Sequence, residues 1–190
     1  MKANILILVI IAASAYFVTS HFAQKDTPSI TQVPNESAIA KKINDADTMP
    51  QFTITDIKGK THNTKDFKGK IIILNFWASW CAPCIKEFPN LIKAAENYPD
   101  DLIFLALSSD LDEKAINNFI TKMEAQQSLS FNAKNIIIAL DENQAVTAKK
   151  FQTFKLPETY IIDREQRIQN KLIGADWNYE TLTKIIDNIR

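Results

Sequence analysis

Both cysteines of the chain fall within one four-residue stretch, Cys81-Ala82-Pro83-Cys84, where a buried strand runs into a helix. Upstream, Ile71-Ile72-Ile73-Leu74-Asn75-Phe76-Trp77 is an apolar, β-branched run of the kind that fills a parallel strand covered on both faces. Downstream, Phe88, Leu91, Ile92 and Ala95 recur at helical spacing. Cys81 therefore falls near a helix N-cap and Cys84 one turn inside, so that unsatisfied backbone N–H groups and the positive end of the helix dipole point at sulfur. That environment favours thiolate over thiol, and thiolate is the attacking species in disulfide exchange. The two-residue gap sets the second sulfur on the same face, close enough to close a disulfide and expel whatever Cys81 has attacked. The motif points to thiol–disulfide exchange.

Composition narrows the alternatives. Lys+Arg and Asp+Glu both number 22, with four of each sign up to residue 48 and eighteen of each after it, so no part of the chain advertises a face for nucleic acid or anionic lipid. The only glycines are Gly59, Gly69 and Gly174, which excludes Gly-rich phosphate loops. Two cysteines so close together are no structural disulfide framework. Nor do they make a zinc site, which takes about four ligands, because the only histidines are His21 and His62. No cofactor or metal is called for, although two soft thiolates leave a Cu(I) carrier as a competing, non-enzymatic reading. His62, in a turn-like Lys60-Thr61-His62-Asn63, reads as a solvent-facing residue.

The chain divides into three parts. Residues 1–22 hold Lys2 followed by an almost unbroken apolar run from Ile5 to Val18, which reads as a signal peptide or an N-terminal membrane anchor. Both readings place the remainder outside the cytoplasm, since the positive end stays inside. Residues 23–48 are polar, contain Pro28 and Pro34, and read as a flexible linker with one short helical turn around 36–43.

From residue 49 to 190, strand and helix signals alternate. A short strand at Phe52–Thr55 turns through Asp56-Ile57-Lys58-Gly59-Lys60 into a second, a likeness to a β-hairpin. The run 71–77, the CxxC helix, a buried strand from Leu102, and a helix from about Asp112 with Ala115, Ile116, Phe119, Ile120 and Met123 inward then follow. After a polar connection, 123–135, come a strand at 136–140, a helix containing Ala145, Val146 and Ala148, strands at 159–162 and 168–173, and a last helix. The order predicts an α/β domain with a central mixed sheet and helices on both sides.

The segment from Gly69 to Pro89, with its Trp-Cys-Ala-Pro-Cys core, closely resembles the extracytoplasmic, membrane-tethered TlpA, ResA and CcmG (DsbE) branch of the thioredoxin superfamily. Met49-Pro50-Gln51-Phe52 and Leu156-Pro157-Glu158-Thr159-Tyr160 extend the likeness to about Met49–Arg190. It implies a thioredoxin-like fold with an N-terminal β-hairpin extension and a redox-active Cys81–Cys84 disulfide. Cys81 would be the exposed nucleophile and Cys84 the resolving thiol. Pro157, by itself an ordinary strand-start proline, would be the family's cis-proline, shaping with Leu156 and Trp80 the groove where a partner polypeptide docks. Pro89 should kink the CxxC helix, because a mid-helix proline loses a backbone hydrogen bond. Thioredoxin carries a buried aspartate where this chain has Asn75, so proton transfer to and from Cys84 needs another group. Glu158 is the first candidate; Glu87, three residues after Cys84, is the second and reads as a helix-surface charge. Ala82 stands where some cytochrome-maturation reductants carry glutamate. Asp176-Trp177 reads as packing.

The resemblance implies an extracytoplasmic thiol:disulfide reductase on the periplasmic side of the inner membrane. It would take electrons from a membrane thiol relay and reduce a client protein disulfide, apocytochrome c in the most specific version. The alternatives are a disulfide-donating oxidase and the Cu(I) carrier. The proline–threonine–cysteine pattern of a peroxidatic site is missing.

Overall fold

The seven residues Ile71–Trp77 are buried without exception and form a central strand of a six-stranded mixed sheet. The computed structural model describes residues 41–42 and 48–190. In chain order the elements are β1 (Lys41–Lys42), β2 (Thr53–Thr55), β3 (Thr61–Asn63), β4 (Ile71–Trp77), α1 (Ala82–Asn97), β5 (Leu102–Ser108), α2 (Glu113–Gln127), β6 (Ile136–Leu140), β7 (Glu158–Ile162), β8 (Ile168–Ile173) and α3 (Tyr179–Ile189). The sheet runs β1-β8-β7-β4-β5-β6, with β4, β5 and β6 parallel and β7 antiparallel to both β4 and β8. β2 and β3 pair separately as the expected hairpin. Its turn is closed by the Asp56 carboxylate, which accepts from the backbone N–H groups of Lys58 and Lys60, and by Gly59 at φ +80°. The Ile57 N–H donates to the Ile138 carbonyl at 2.9 Å, docking the turn against the outer edge of β6.

Strand alternation divides the interior into two clusters. On one face Ile71, Ile73, Trp77, Phe104, Ala106, Ile138 and Ile161 meet the inner stripes of α1, α2 and α3. Trp77 packs on Phe88 and Phe119 with ring centroids 4.6 and 4.7 Å apart, beneath the CxxC helix. On the other face Ile72, Leu74, Phe76, Leu105, Leu107, Tyr160 and Ile162 are covered by Met49, Phe52, Phe67, Val146 and Phe151.

That second cover differs from expectation. Among the described residues all three α-helices lie against one face, and the other is closed by turns, loops and short 3₁₀ segments. The helix predicted around Ala145, Val146 and Ala148 is a 3₁₀ turn, Glu142–Gln144, followed by irregular turns. Asn143 and Gln144 have φ of 54° and 50°, and the Asp141 carboxylate takes the Val146 and Thr147 N–H groups, so the backbone wraps around a side chain instead of propagating a helix. Other departures are smaller. α2 runs on to Gln127, so the 123–135 connection begins as helix, and Phe131 and Asn135 within it are buried. At Lys41–Lys42 the chain is a strand paired with β8 and not part of a helical turn. His62 is not solvent-facing: its Nε2 lies 2.7 Å from Asp56 Oδ2, with both side chains about nine-tenths covered. The expected targeting segment, and the linker apart from 41–42 and 48, lie outside the described residues.

Candidate active site

α1 begins at the dithiol. Cys81 is its N-cap, and the Cys81 sulfur accepts a hydrogen bond from the Cys84 N–H at 3.4 Å, a bond made by an otherwise orphaned helix donor. The two cysteines are joined as a disulfide. Cys81 keeps 6 % of its surface open and Cys84 none, so an incoming sulfur can reach only the first. The helix continues through Pro89, which lacks the N–H its turn would otherwise use. The preceding loop is fixed from β5: the Asp110 carboxylate accepts from the Ser79 N–H at 3.0 Å, the Ser79 hydroxyl at 2.8 Å and the Ser108 hydroxyl at 2.6 Å. Trp80, next to Cys81, is 70 % exposed.

Behind the disulfide lies a small polar group in an apolar setting. Asn75 points from β4 toward α1, and its amide donates to Glu87 Oε1 at 2.6 Å and to the Thr159 hydroxyl at 3.0 Å. Glu87 is a correction to the sequence reading. It is 2 % exposed rather than a helix-surface charge, because one turn beyond Cys84 the same helical face that buries sulfur also buries the carboxyl. Burial pushes the Glu87 carboxyl up to about 8, against the opposing pull of the Asn75 hydrogen bond. Its second oxygen, Oε2, has no protein partner. A carboxyl in that range, one helical turn from Cys84, is matched for proton exchange near neutrality with a cysteine thiol, whose unperturbed pKa is about 8.5.

Glu158 occupies a different place. β7 pairs Glu158 with Phe76 and Thr159 with Asn75, so Thr159 faces α1 while Glu158 faces the opposite side with Tyr160. Its carboxylate accepts from the Thr153 hydroxyl at 2.6 Å and the Tyr160 hydroxyl at 3.2 Å, and pairs with Lys171 Nζ at 2.8 Å. Burial works against the Lys171 charge, but Glu158 and the Tyr160 hydroxyl outweigh it and hold the ammonium above its ordinary pKa. The Leu156–Pro157 bond directly before Glu158 is cis, as the resemblance implied. Leu156 lines a groove of about 530 Å³ with Trp80, Cys81, Ala82, Pro83, Phe154 and Lys155. The site thus brings Trp80, Cys81 and Leu156 to one groove and turns Glu158 away from the sheet face that carries Glu87. Among the described residues no group of three or more His, Cys, Asp or Glu side chains is arranged to hold a metal ion.

A thioredoxin-like sheet with a CxxC disulfide at a helix N-terminus defines a thiol–disulfide oxidoreductase. Residues 46–171 match the AhpC/TSA family. The thiol-disulfide oxidoreductase ResA of Bacillus cereus is 33 % identical over 126 residues, covering 66 % of this chain and 67 % of that one. ResA of Geobacillus kaustophilus is 26 % identical over 170 residues, covering 90 % and 84 %. The chain therefore belongs to the AhpC/TSA family, and within it to the thiol-disulfide oxidoreductases of the ResA type. Among solved structures it is similar in fold to a Chlorobium tepidum thiol:disulfide interchange protein DsbE (TM-score 0.64, 23 % identity, 77 % of this chain and 98 % of that one). StoA of Bacillus subtilis shares the fold as well (TM-score 0.57, 23 % identity, 72 % and 96 %).

Proposed function

We propose that this oxidoreductase works as a reductant of client protein disulfides outside the cytoplasm, tethered to the membrane by its N-terminal segment and recharged by a membrane thiol relay. The observation that carries the reading is the pairing of a reachable Cys81 sulfur at a helix N-cap with a fully covered Cys84 and, one turn further along the same helix, the buried Glu87 carboxyl. In the reduced protein the Cys81 thiolate attacks one sulfur of a client disulfide; that S–S bond breaks, a Cys81–client mixed disulfide forms, and the other client sulfur leaves as thiolate. Cys84 then gives its proton to Glu87 and attacks the Cys81 sulfur. The client leaves with both cysteines reduced, two electrons richer, and the Cys81–Cys84 disulfide remains. A dithiol donor returns it to the reduced form. Pro157, Leu156 and Trp80 seat the client, and Glu158, paired to Lys171, holds the segment leading into Pro157.

The likeness to the tethered cytochrome-maturation relatives supports apocytochrome c as client and the periplasmic side of the inner membrane as location. The apolar run from Ile5 to Val18 supports the tether. Among the described residues no helix is long and apolar enough to cross a membrane. In cells, a Cys84→Ser variant should accumulate client proteins disulfide-linked to Cys81, identifiable by mass spectrometry. Equilibration with glutathione should place the potential nearer about −270 mV than about −120 mV; a value at the upper end would make the protein a disulfide donor instead. No trapped protein, together with tight Cu(I) binding by the reduced form, would point to a carrier. Fractionation with intact-mass measurement tests the tether.

A further inference from the structure

Among the described residues four large apolar side chains stand exposed: Trp80 at 70 %, Leu111 at 100 %, Phe154 at 92 % and Ile173 at 50 %. All four belong to one end of the sheet. β4 ends at Trp77 and β5 at Ser108, so Trp80 and Leu111 each lie three residues beyond a parallel strand's C-terminal end. β8, antiparallel to β7 and hence parallel to β4, ends at Ile173 opposite Glu158, the first residue of β7; Phe154 lies four residues before that. This is the end where α1 begins at Cys81. Trp80 and Phe154 line the same groove as Cys81, and Leu111 lines an adjoining cavity that shares Ser109 and Gln144 with it.

Phe154 is not exposed because its segment hangs loose. Three residues earlier, Phe151 is locked between Phe76 and Tyr160, with centroids 5.1 and 4.9 Å away. Thr153 is buried, its N–H donating to the Thr147 carbonyl and its hydroxyl to Glu158. Leu156 packs into the core. An anchored backbone therefore holds a phenyl ring out into water beside the reactive sulfur, a position with a solvation cost and no internal contact to offset it.

We infer that Phe154 and Leu111, with Trp80, select clients by apolar side chains flanking the client's cysteine, and that the partner is an extended, non-native polypeptide. The inference rests on the proposed exchange function, because whatever Cys81 attacks must lay the chain on both sides of its own sulfur across this rim. A folded client keeps such side chains in its interior; an unfolded one presents them, and aromatic anchors of this kind dominate the energetics of peptide seating.

The test uses the reduced protein and two peptide pairs, each joined by one intermolecular disulfide, with Phe and Leu flanking the cysteines in one and Ser and Asn in the other. Wild type should reduce the apolar pair with a single-turnover second-order rate constant about tenfold higher, and the Phe154→Ala/Leu111→Ala variant should cut that ratio to about twofold, the share left to Trp80. Both substitutions remove exposed side chains, and a thermal unfolding curve confirms the fold. Equal rates for the two pairs in wild type, or a preference undiminished in the double variant, would overturn the inference. Reduction of hydroxyethyl disulfide separates the two levels of argument: if it proceeds while the peptides react equally, the selection rim falls and the exchange function stands, whereas no reaction with any disulfide removes both.

Discussion

The Asn75 amide donates to the Glu87 carboxylate at 2.6 Å, tying the central strand to the helix that carries both cysteines. Where thioredoxin keeps an acid on the strand, this chain keeps an amide there and moves the acid to the helix, one turn past Cys84. The first prediction concerns rate. Replacing Glu87 by Gln retains the shape and the neutral hydrogen-bonding partner but removes the proton acceptor, so resolution of the Cys81 mixed disulfide should slow by about a hundredfold near neutral pH. Rapid-quench measurement of the mixed-disulfide lifetime against pH should also show in wild type an ionisation near 8 that Glu87→Gln lacks. An unchanged lifetime would leave Cys84 to deprotonate to water.

The same carboxyl makes stability depend on pH. Its folded pKa is raised from 4.5 to about 8, so between those values the native state holds a proton that the unfolded chain has released. The stabilisation is complete below about pH 4.5 and is lost as pH rises through the folded value, at up to about 1.4 kcal/mol per pH unit. Urea unfolding of the oxidised protein between pH 5 and 9 should show that decline, and Glu87→Gln should flatten it.

The Glu158–Lys171 pair yields a different expectation. Glu158 faces away from α1, so Glu158→Gln should leave the pH profile of mixed-disulfide resolution intact while weakening the fold. Glu158→Ala should cost more, about 2 kcal/mol, because it strands a Lys171 ammonium whose side chain is 23 % exposed; a fully buried charge would cost more still. Adding Lys171→Met should recover most of the loss in denaturant titrations.

Asp110 ties the loop before Cys81 to the end of β5, accepting two hydrogen bonds from Ser79 and one from Ser108. Asp110→Ala should destabilise by about 2–3 kcal/mol. It should also raise amide exchange at Ser79 relative to the core of β4, which hydrogen exchange read by NMR or mass spectrometry would resolve.

Most of the sheet was legible because its strands are continuous apolar runs and its turns carry Gly59, Gly69 or Asp163-Arg164-Glu165-Gln166. The dithiol was legible for the same local reason: a strand, two cysteines and a helical stripe stand next to one another in sequence. Glu87 was misread because composition marks a charged residue as exposed, and only the helical phase shared with Cys84 and Phe88 announces its burial. The 142–151 segment was misread because Ala145, Val146 and Ala148 mimic a helical stripe; the deciding contact, Asp141 to the N–H groups of Val146 and Thr147, overrides propensity. The opposite orientations of Glu158 and Thr159 follow from strand alternation, but which of them faces α1 depends on a register with β4 that separates partners by about eighty residues.

The contact between Ile57 and Ile138 has a consequence for the protein among its own copies. β6 is a short, uncharged, β-branched strand at the rim of the sheet, the kind of segment that templates intermolecular cross-β growth when its outer side lies bare. By occupying the Ile138 carbonyl, the hairpin turn acts as a guard rail: a chain whose hairpin is loosened, for instance through the Asp56 side chain that shapes it, is expected to fibrillate before it loses its chemistry.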